Sequence, residues 1–370
     1  MTHVPDPGAG SAPASSFPSL VPFGWAPALA GIFRQRHPAS GEPGRVVAAT
    51  RGLVLAQAAS GEVSCAPTGR FRARLQAEGL TLCAGDWIVL HPQPGSSKAL
   101  MNDLLPRGAS LTRQESGAGG RRQWLASNLD RVLVLMGLDR DFNLKRLERL
   151  LALAWGSGAQ PVVVLTKSDL QPRCGDQITQ VERRAPRVQV IVVSARLGQG
   201  LAEVRACLPP AHTGVMVGSS GVGKSTLLNA LTGHELRRTQ EVRASDGRGR
   251  HTTSLRELFL LPEGGCLIDT PGIREVGLSA EGSDLEETFP DIADWASRCR
   301  FQDCSHGPEP GCAVRAARED GHLDASRYGN YLRLRREVAF EAARGDDRLR
   351  RERERRWRDI SRLNKQSRKA

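Results

Sequence analysis

The 370-residue chain is short of three things, and each shortage closes a class of explanation. Long apolar runs are missing: stretches such as 131–138 stop at charge or glycine, well below the roughly 18 to 20 residues of a membrane span. Integral membrane placement is thereby excluded. Cysteine is sparse, eight residues in all, and only Cys299, Cys304 and Cys312 cluster. That pattern argues against a secreted disulfide scaffold and for the reducing cytoplasm. Basic charge is absent from the beginning of the chain, where the first Lys or Arg is Arg34 and Pro5, Pro7, Pro13 and Pro18 interrupt the sequence. No basic region followed by an apolar run is there to direct export. Basic charge is concentrated at the other end. Lys and Arg number 52 against 40 Asp and Glu, a net +12, and residues 349–370 hold ten basic and three acidic residues, or +7 of that total. Such one-ended charge suits a polyanion such as nucleic acid.

Composition divides the chain. In residues 1–44, 26 are Gly, Pro, Ser or Ala, which predicts a disordered N-terminal extension over 1–40. Over 41–105 the runs 45–50, 52–57, 61–65, 70–75 and 86–91 alternate with Gly and Ser turns, the spacing of an all-β OB-type barrel. In the fourth run Phe71, Ala73 and Leu75 alternate with Arg70, Arg72 and Arg74, so a strand there presents either a solvated outer face or a row of guanidinium groups for nucleic acid. Residues 106–128 lack periodicity and read as a mobile linker. From 129 to 278 the solid apolar runs 131–138, 161–165, 188–193 and 214–217 predict parallel strands buried on both faces of an α/β domain. Between them, 143–157 places Leu144, Leu147, Leu151 and Ala154 on one helical stripe.

Directly after the run 214–217 stands Gly218-Ser219-Ser220-Gly221-Val222-Gly223-Lys224-Ser225, followed by the helix-forming Thr226 and its successors. This is a complete phosphate loop. Its glycines let backbone N–H groups curl around phosphate, Lys224 reaches the terminal phosphates, and Ser225 offers a hydroxyl to Mg²⁺. Asp269-Thr270-Pro271-Gly272 follows another apolar run, so Asp269 lies where a Mg²⁺-bound water would be and Gly272 can bring its N–H to a γ-phosphate. Thr166-Lys167-Ser168-Asp169 ends a third run. Asp169 can accept from the paired N–H donors of guanine, which adenine lacks, and Lys167 can lie along the base. Ser194 and Ala195, after Val193, can turn backbone N–H groups to the guanine O6.

These motifs occur in the order base, base, phosphate loop, switch I, switch II, a circular permutation of the usual GTPase order. With Asn128-Leu129-Asp130, Phe142-Asn143 and Gly249-Arg250-His251-Thr252-Thr253, the chain from about residue 22 resembles the bacterial ribosome small-subunit-dependent GTPase A family. Two features depart from that family's pattern: Thr166 stands where GTPases commonly have Asn, and the first 20 residues have no counterpart. The resemblance implies a GTP hydrolase that binds the small (30S) ribosomal subunit and its 16S rRNA, acts in late maturation and is released by subunit-stimulated hydrolysis. A monomer is expected. The alternative is a nucleotide-gated rRNA-binding module in which hydrolysis is incidental.

Cys299-x₄-Cys304-x-His306-x₅-Cys312 offers three thiolates and an imidazole among turn residues, the donor set of one closed structural Zn²⁺ site. It marks a mostly helical zinc-binding domain over 279–345. Residues 346–370 read as a basic helix with Trp357, Ile360 and Leu363 on one stripe. The residue after Gly272 is Ile273, where fast GTPases place a water-orienting Gln. His251 is the nearest side chain in sequence able to replace it, Thr253 is the expected second Mg²⁺ ligand, and the resemblance points to the same histidine.

Overall fold

The computed structural model describes residues 17–37, 41–50, 53–93, 98–114, 122–233, 256–270, 283–307 and 309–345. His251, Thr253, Gly272 and the basic tail 349–370 lie outside them, as do residues 1–16. No helix among the described residues is long and apolar enough to cross a membrane.

The expectation of disorder over 1–40 fails for 17–37. Pro18–Phe23 forms a 3-10 helix and Pro27–Arg36 an α-helix, α1, each started by proline at its first positions, where a missing N–H costs nothing. Leu20, Trp25, Ala30 and Phe33 are buried, and the Trp25 ring sits 4.9 Å from that of Trp87. The small-residue content of 1–44 masks these few large apolar side chains, which suffice to dock the segment on the next domain.

That domain is a closed barrel. β1 (Glu42–Ala49), β2 (Val54–Ala58) and β3 (Gly61–Pro67) form a meander, β4 (Trp87–Pro92) pairs with β1, and β5 (Lys98–Leu104) joins β4 to β3. The order β1-β2-β3-β5-β4-β1 leaves no edge among these five strands. Val46, Ala56, Cys65, Ile88, Leu90 and Met101 fill it. The expected strand at 70–75 is instead a helix, α2 (Gly69–Ala77), capped by the Thr68 hydroxyl, which accepts from the Phe71 N–H at 3.3 Å. Phe71 and Leu75, the two buried residues, are four apart and so share a face in a helix as well as in a strand, and the cap decides between them. The strand that sequence reading missed is β5, whose Ala99, Met101 and Asp103 alternate inward.

Residues 106–128 are not a free linker. β6 (Ser110–Gln114) pairs with β7 (Arg122–Ser127), and Leu111, Leu125 and Ala126 are buried in the core of the following domain. Gly85, at φ +92°, lets the barrel backbone meet this hairpin: a Cβ there would lie 2.2 Å from the Ser127 carbonyl oxygen. Next to it the buried Asp86 carboxylate accepts from the Ser127 hydroxyl (2.6 Å) and from two nitrogens of Arg107 (2.7 Å each).

The α/β domain is a sheet in the order β10-β9-β8-β11-β13-β12, built from β8 (Arg131–Gly137), β9 (Gln160–Thr166), β10 (Gln189–Val192), β11 (Thr213–Val217), β12 (Glu257–Leu260) and β13 (Cys266–Asp269). All are parallel except β12, which also touches β1 through Ala48 opposite Glu257. Helices α3 (Leu144–Gly156), α4 (Gly175–Arg184), α5 (Leu201–Ala206) and α6 (Lys224–Thr232) cover its faces.

The C-terminal unit comprises α7 (Ser283–Thr288), α8 (Pro290–Ala296), α9 (Ala313–Glu319) and α10 (Ala325–Gly345). Phe289, Ile292, Val314, Tyr328 and Leu334 continue the same apolar cluster as Leu147 and Leu151 of α3. At the centre of this contact Glu148, fully buried on α3, accepts from Arg184 (2.9 Å), Arg327 (2.9 Å) and Asn330. Arg327 in turn grips both oxygens of Asp291, at 2.8 and 2.7 Å. Glu148→Ala leaves a buried guanidinium short of its anion, which costs about 3–5 kcal/mol. The expected outcome is a large drop in denaturation midpoint, read by thermal or urea unfolding, with Leu150→Ala on the same helix as a milder comparison.

Candidate functional site

The parallel strands deliver their C-terminal ends to one edge of the sheet, where ligands of open α/β folds bind. β11 is buried along its whole length and runs into Gly218. The loop 218–223 then turns into α6, which starts at Lys224 behind a left-handed Gly223 (φ +107°). At Gly218 (φ +155°) a Cβ would meet the Leu135 carbonyl oxygen at 2.8 Å, so glycine alone lets the loop hug the neighbouring strand. Val222 is buried beneath the loop and Ser220 and Gly221 face solvent. Lys224 Nζ donates to the carbonyls of Gly218 (2.8 Å) and Ser219 (2.7 Å), curling the loop around itself. Ser225 and Thr226 occupy the first turn of α6, half-buried. The first-turn N–H groups of such a helix face the cradle, and its dipole favours an anion there.

Asp269 closes β13 beside the loop, opposite Met216 in register and buried, and Thr270 hydrogen-bonds the Met216 carbonyl at 2.9 Å. On the other side, β9 ends at Thr166, whose hydroxyl donates to the Val222 carbonyl at 2.6 Å. The departure from Asn at this position therefore keeps a hydrogen bond between the base motif and the phosphate loop. Lys167 adopts φ +62°, and Ser168 N–H donates to the Val193 carbonyl at 3.2 Å. Asp169 Oδ1 accepts from the Ser194 hydroxyl at 2.7 Å, which aims the carboxylate and ties the two base motifs together. Ala195 follows, half-buried.

Two residues at this edge escaped the sequence reading. Asp141 Oδ1 accepts from the Ser219 hydroxyl at 2.6 Å, and Asp139 Oδ2 pairs with Lys167 Nζ at 2.8 Å. Their signal in the sequence is a carboxylate pair just after the glycine that ends β8, a pattern without a motif of its own.

The second cluster lies between α8 and α9. One ligand atom from each of Cys299, Cys304, His306 and Cys312 falls within 4.8 Å of all the others. His306 Nδ1 is 3.6 Å from the Cys299 sulfur and 3.9 Å from that of Cys312. A tetrahedral centre with metal–sulfur bonds of about 2.3 Å and metal–nitrogen bonds of about 2.0 Å separates its ligands by about 3.5 to 3.8 Å. The group can therefore hold a metal ion with small adjustments. His306 stands at φ +59° and its carbonyl accepts from the buried Tyr328 hydroxyl, which points the ring at the thiols. Burial holds the imidazole below its ordinary pKa, in the neutral form that ligates.

Residues 104–279 match the model of the RsgA GTPase family. The small ribosomal subunit biogenesis GTPase RsgA of Opitutus terrae is 41% identical over 351 residues, covering 92% of this chain and 96% of that protein. Proteins of the same name from Leptospira interrogans and Streptomyces coelicolor are each 41% identical, over 87% and 91% of this chain and 89% and 92% of their own lengths. Among solved structures, YjeQ from Thermotoga maritima superposes with a TM-score of 0.62 at 26% identity, covering 81% of this chain and 99% of that one. YloQ, described as a circularly permuted GTPase, shares the fold at a TM-score of 0.58 and 24% identity over 82% of this chain and 97% of its own. On sequence identity along nearly its whole length and on a sheet whose phosphate-loop motif follows the loops at 166–169 and 193–195 in the chain, the chain belongs to the RsgA GTPase family.

Proposed function

We propose that this GTP-hydrolysing enzyme binds the small (30S) ribosomal subunit through its 16S rRNA, acts late in subunit maturation, and leaves when the subunit stimulates hydrolysis. The observation that carries the reading is the meeting of base motifs, phosphate loop and Asp269 at one sheet edge in a chain whose relatives are named for small-subunit biogenesis. The +12 charge and the basic tail supply the attraction to RNA. The protein is read as a cytoplasmic monomer.

In this reading Asp169 selects guanine, Lys167 lies along the base, and Ser194 and Ala195 bound its O6 side. Residues 218–226 wrap the phosphates, with Lys224 reaching the terminal ones. Ser225 and Thr253 would hold Mg²⁺, which neutralises phosphate charge when bound. Asp269 lies at the position for a water on that ion, and Gly272 brings an N–H to the γ-phosphate. With Ile273 unable to orient water, His251 takes that part once the subunit orders its segment. The Cys₃His cluster is read as a structural Zn²⁺ site, since neutral imidazole plus three thiolates leaves no open position for water.

Hydrolysis measured with and without purified small subunits tests the function. Stimulation of roughly 10³-fold is within reach of such positioning, and release of the subunit on hydrolysis is expected. An equal rate with and without subunits would favour the RNA-binding module with incidental hydrolysis. His251→Ala is expected to keep nucleotide and subunit binding while losing most of the stimulated rate; full stimulation would mean that the subunit supplies the group. Asp169→Asn exchanges an acceptor for a donor, so a shift in preference from guanine to xanthine nucleotides is expected in competition assays. Elemental analysis of protein purified without chelator is expected to give one zinc per chain, and Cys304→Ala to lose it together with protease resistance of the C-terminal unit, because metal binding and local folding share one free energy.

A further inference from the structure

The phosphate loop is made of residues with unusual freedom. Gly218, Gly221 and Gly223 have φ values of +155°, +76° and +107°, and ordering glycine costs more chain entropy than ordering any other residue. The hold that Lys224 places on the carbonyls of Gly218 and Ser219 uses two of the three donors of an ammonium that phosphate would also recruit. A second hold reaches the loop from outside, through a side chain rather than the loop backbone: the 2.6 Å bond from the Ser219 hydroxyl to Asp141.

Asp141 is itself firmly placed. Its Oδ2 accepts from the Gly137 N–H at 3.2 Å, and its Oδ1 pairs with Arg146 at 2.6 Å. The Arg146 N–H is in turn capped by Asn143 Oδ1 at 3.0 Å. Asp139 Oδ1 accepts from the Asp141 N–H at 3.1 Å while its Oδ2 takes the Lys167 ammonium. A Cβ on Gly137 would stand 2.5 Å from Asp139 Oδ1, so glycine there leaves room for that carboxylate over the end of β8. One short loop thus grips the phosphate loop with one carboxylate and the base motif with the other.

We propose that Asp141 and Asp139 are positioning residues of the nucleotide site, fixing Ser219 and Lys167 so that the phosphate-binding and base-binding halves are held at the spacing of one guanine nucleotide. The inference rests on the reading of 218–225 and 166–169 as the nucleotide site. Neither carboxylate needs to contact the ligand. As acceptors they would repel phosphate, and they act through a hydroxyl and an ammonium that do not.

The test is a double-mutant cycle on the full-length protein, read as the affinity and dissociation rate of a fluorescent GDP. Ser219→Ala and Asp141→Ala are each expected to weaken binding about tenfold, the scale of a hydrogen bond to a charged group. The double variant is expected to be no weaker than either single one, and kcat at saturating GTP to change far less than KM. Asp141→Asn, which keeps an oxygen to accept from Ser219, is expected to recover most of the affinity; a merely structural aspartate would not single out this rescue. Asp139→Ala and Lys167→Ala are expected to be non-additive in the same way. Additive losses, or unchanged affinity in Ser219→Ala, which removes one oxygen from the loop and tests the bond even where Asp141→Ala fails to fold, would overturn the proposal. Lys224→Ala separates the two levels: if it too leaves GDP affinity intact, the site reading has failed, whereas lost binding there beside a silent Ser219→Ala sinks only the role of Asp141.

Discussion

The register of the parallel strands fixes where every functional loop leaves the sheet. Gly137 stands opposite Thr166, Val134 opposite Val217, and Met216 opposite Asp269. A slip of one residue would displace a loop by about 3.3 Å and turn its side chains to the other face. Burial on both faces forbids such a slip, since Val132 to Met136, Val162 to Leu165 and Val215 to Val217 are all enclosed. The hydroxyl of Thr166 can reach the Val222 carbonyl, and that of Ser219 can reach Asp141, only because the strands beneath them are locked.

The C-terminal unit is attached by a different kind of force. Apolar contact between α3, α7 and α10 supplies the bulk of the adhesion, but hydrophobic contact is non-directional. The network of Glu148, Arg184, Arg327, Asn330 and Asp291 supplies direction, because a buried carboxylate is tolerable only when all of its partners arrive together. Arg149 and Glu337 extend the same contact with a two-pronged pair at 2.5 and 2.6 Å. Helix α3, which carries Glu148 and Arg149, begins just after the loop holding Asp139 and Asp141, so the C-terminal unit and the edge of the sheet that bears the phosphate-loop motif meet on one element.

Much of this was legible in the sequence wherever a motif demands particular atoms. Gly218 to Ser225, Thr166 to Asp169 and the Cys₃His group are written in residue types that few other arrangements require, and the structure brings each set together. Legibility fell where two conformations satisfy the same pattern. Phe71 and Leu75 fit a strand and a helix equally, and only the Thr68 cap distinguishes them. The hairpin at 110–127 and the helices at 18–36 were hidden by small and polar residues around a few anchors such as Leu111, Leu125 and Trp25. Asp139 and Asp141 had no recognisable spacing because their partners, Lys167 and Ser219, are close only in the folded sheet.

Permutation also sets the order in which the parts come into being. β8, α3, β9, α4 and β10 are consecutive in the chain and already form a contiguous set of parallel neighbours, so during synthesis this half-sheet is available to assemble first. Its exposed liabilities then include the inner edge of β8, which awaits β11, the apolar stripe of α3, which awaits α7 and α10, and the sheet face of Leu133, Leu135, Val162 and Val164, which awaits α5 and α6. The loops that follow β9 and β10 therefore exist before the phosphate-loop motif has been made. A nucleotide can lend its binding energy only after residues 218–225 have been made, which leaves the early half to stand on its own packing.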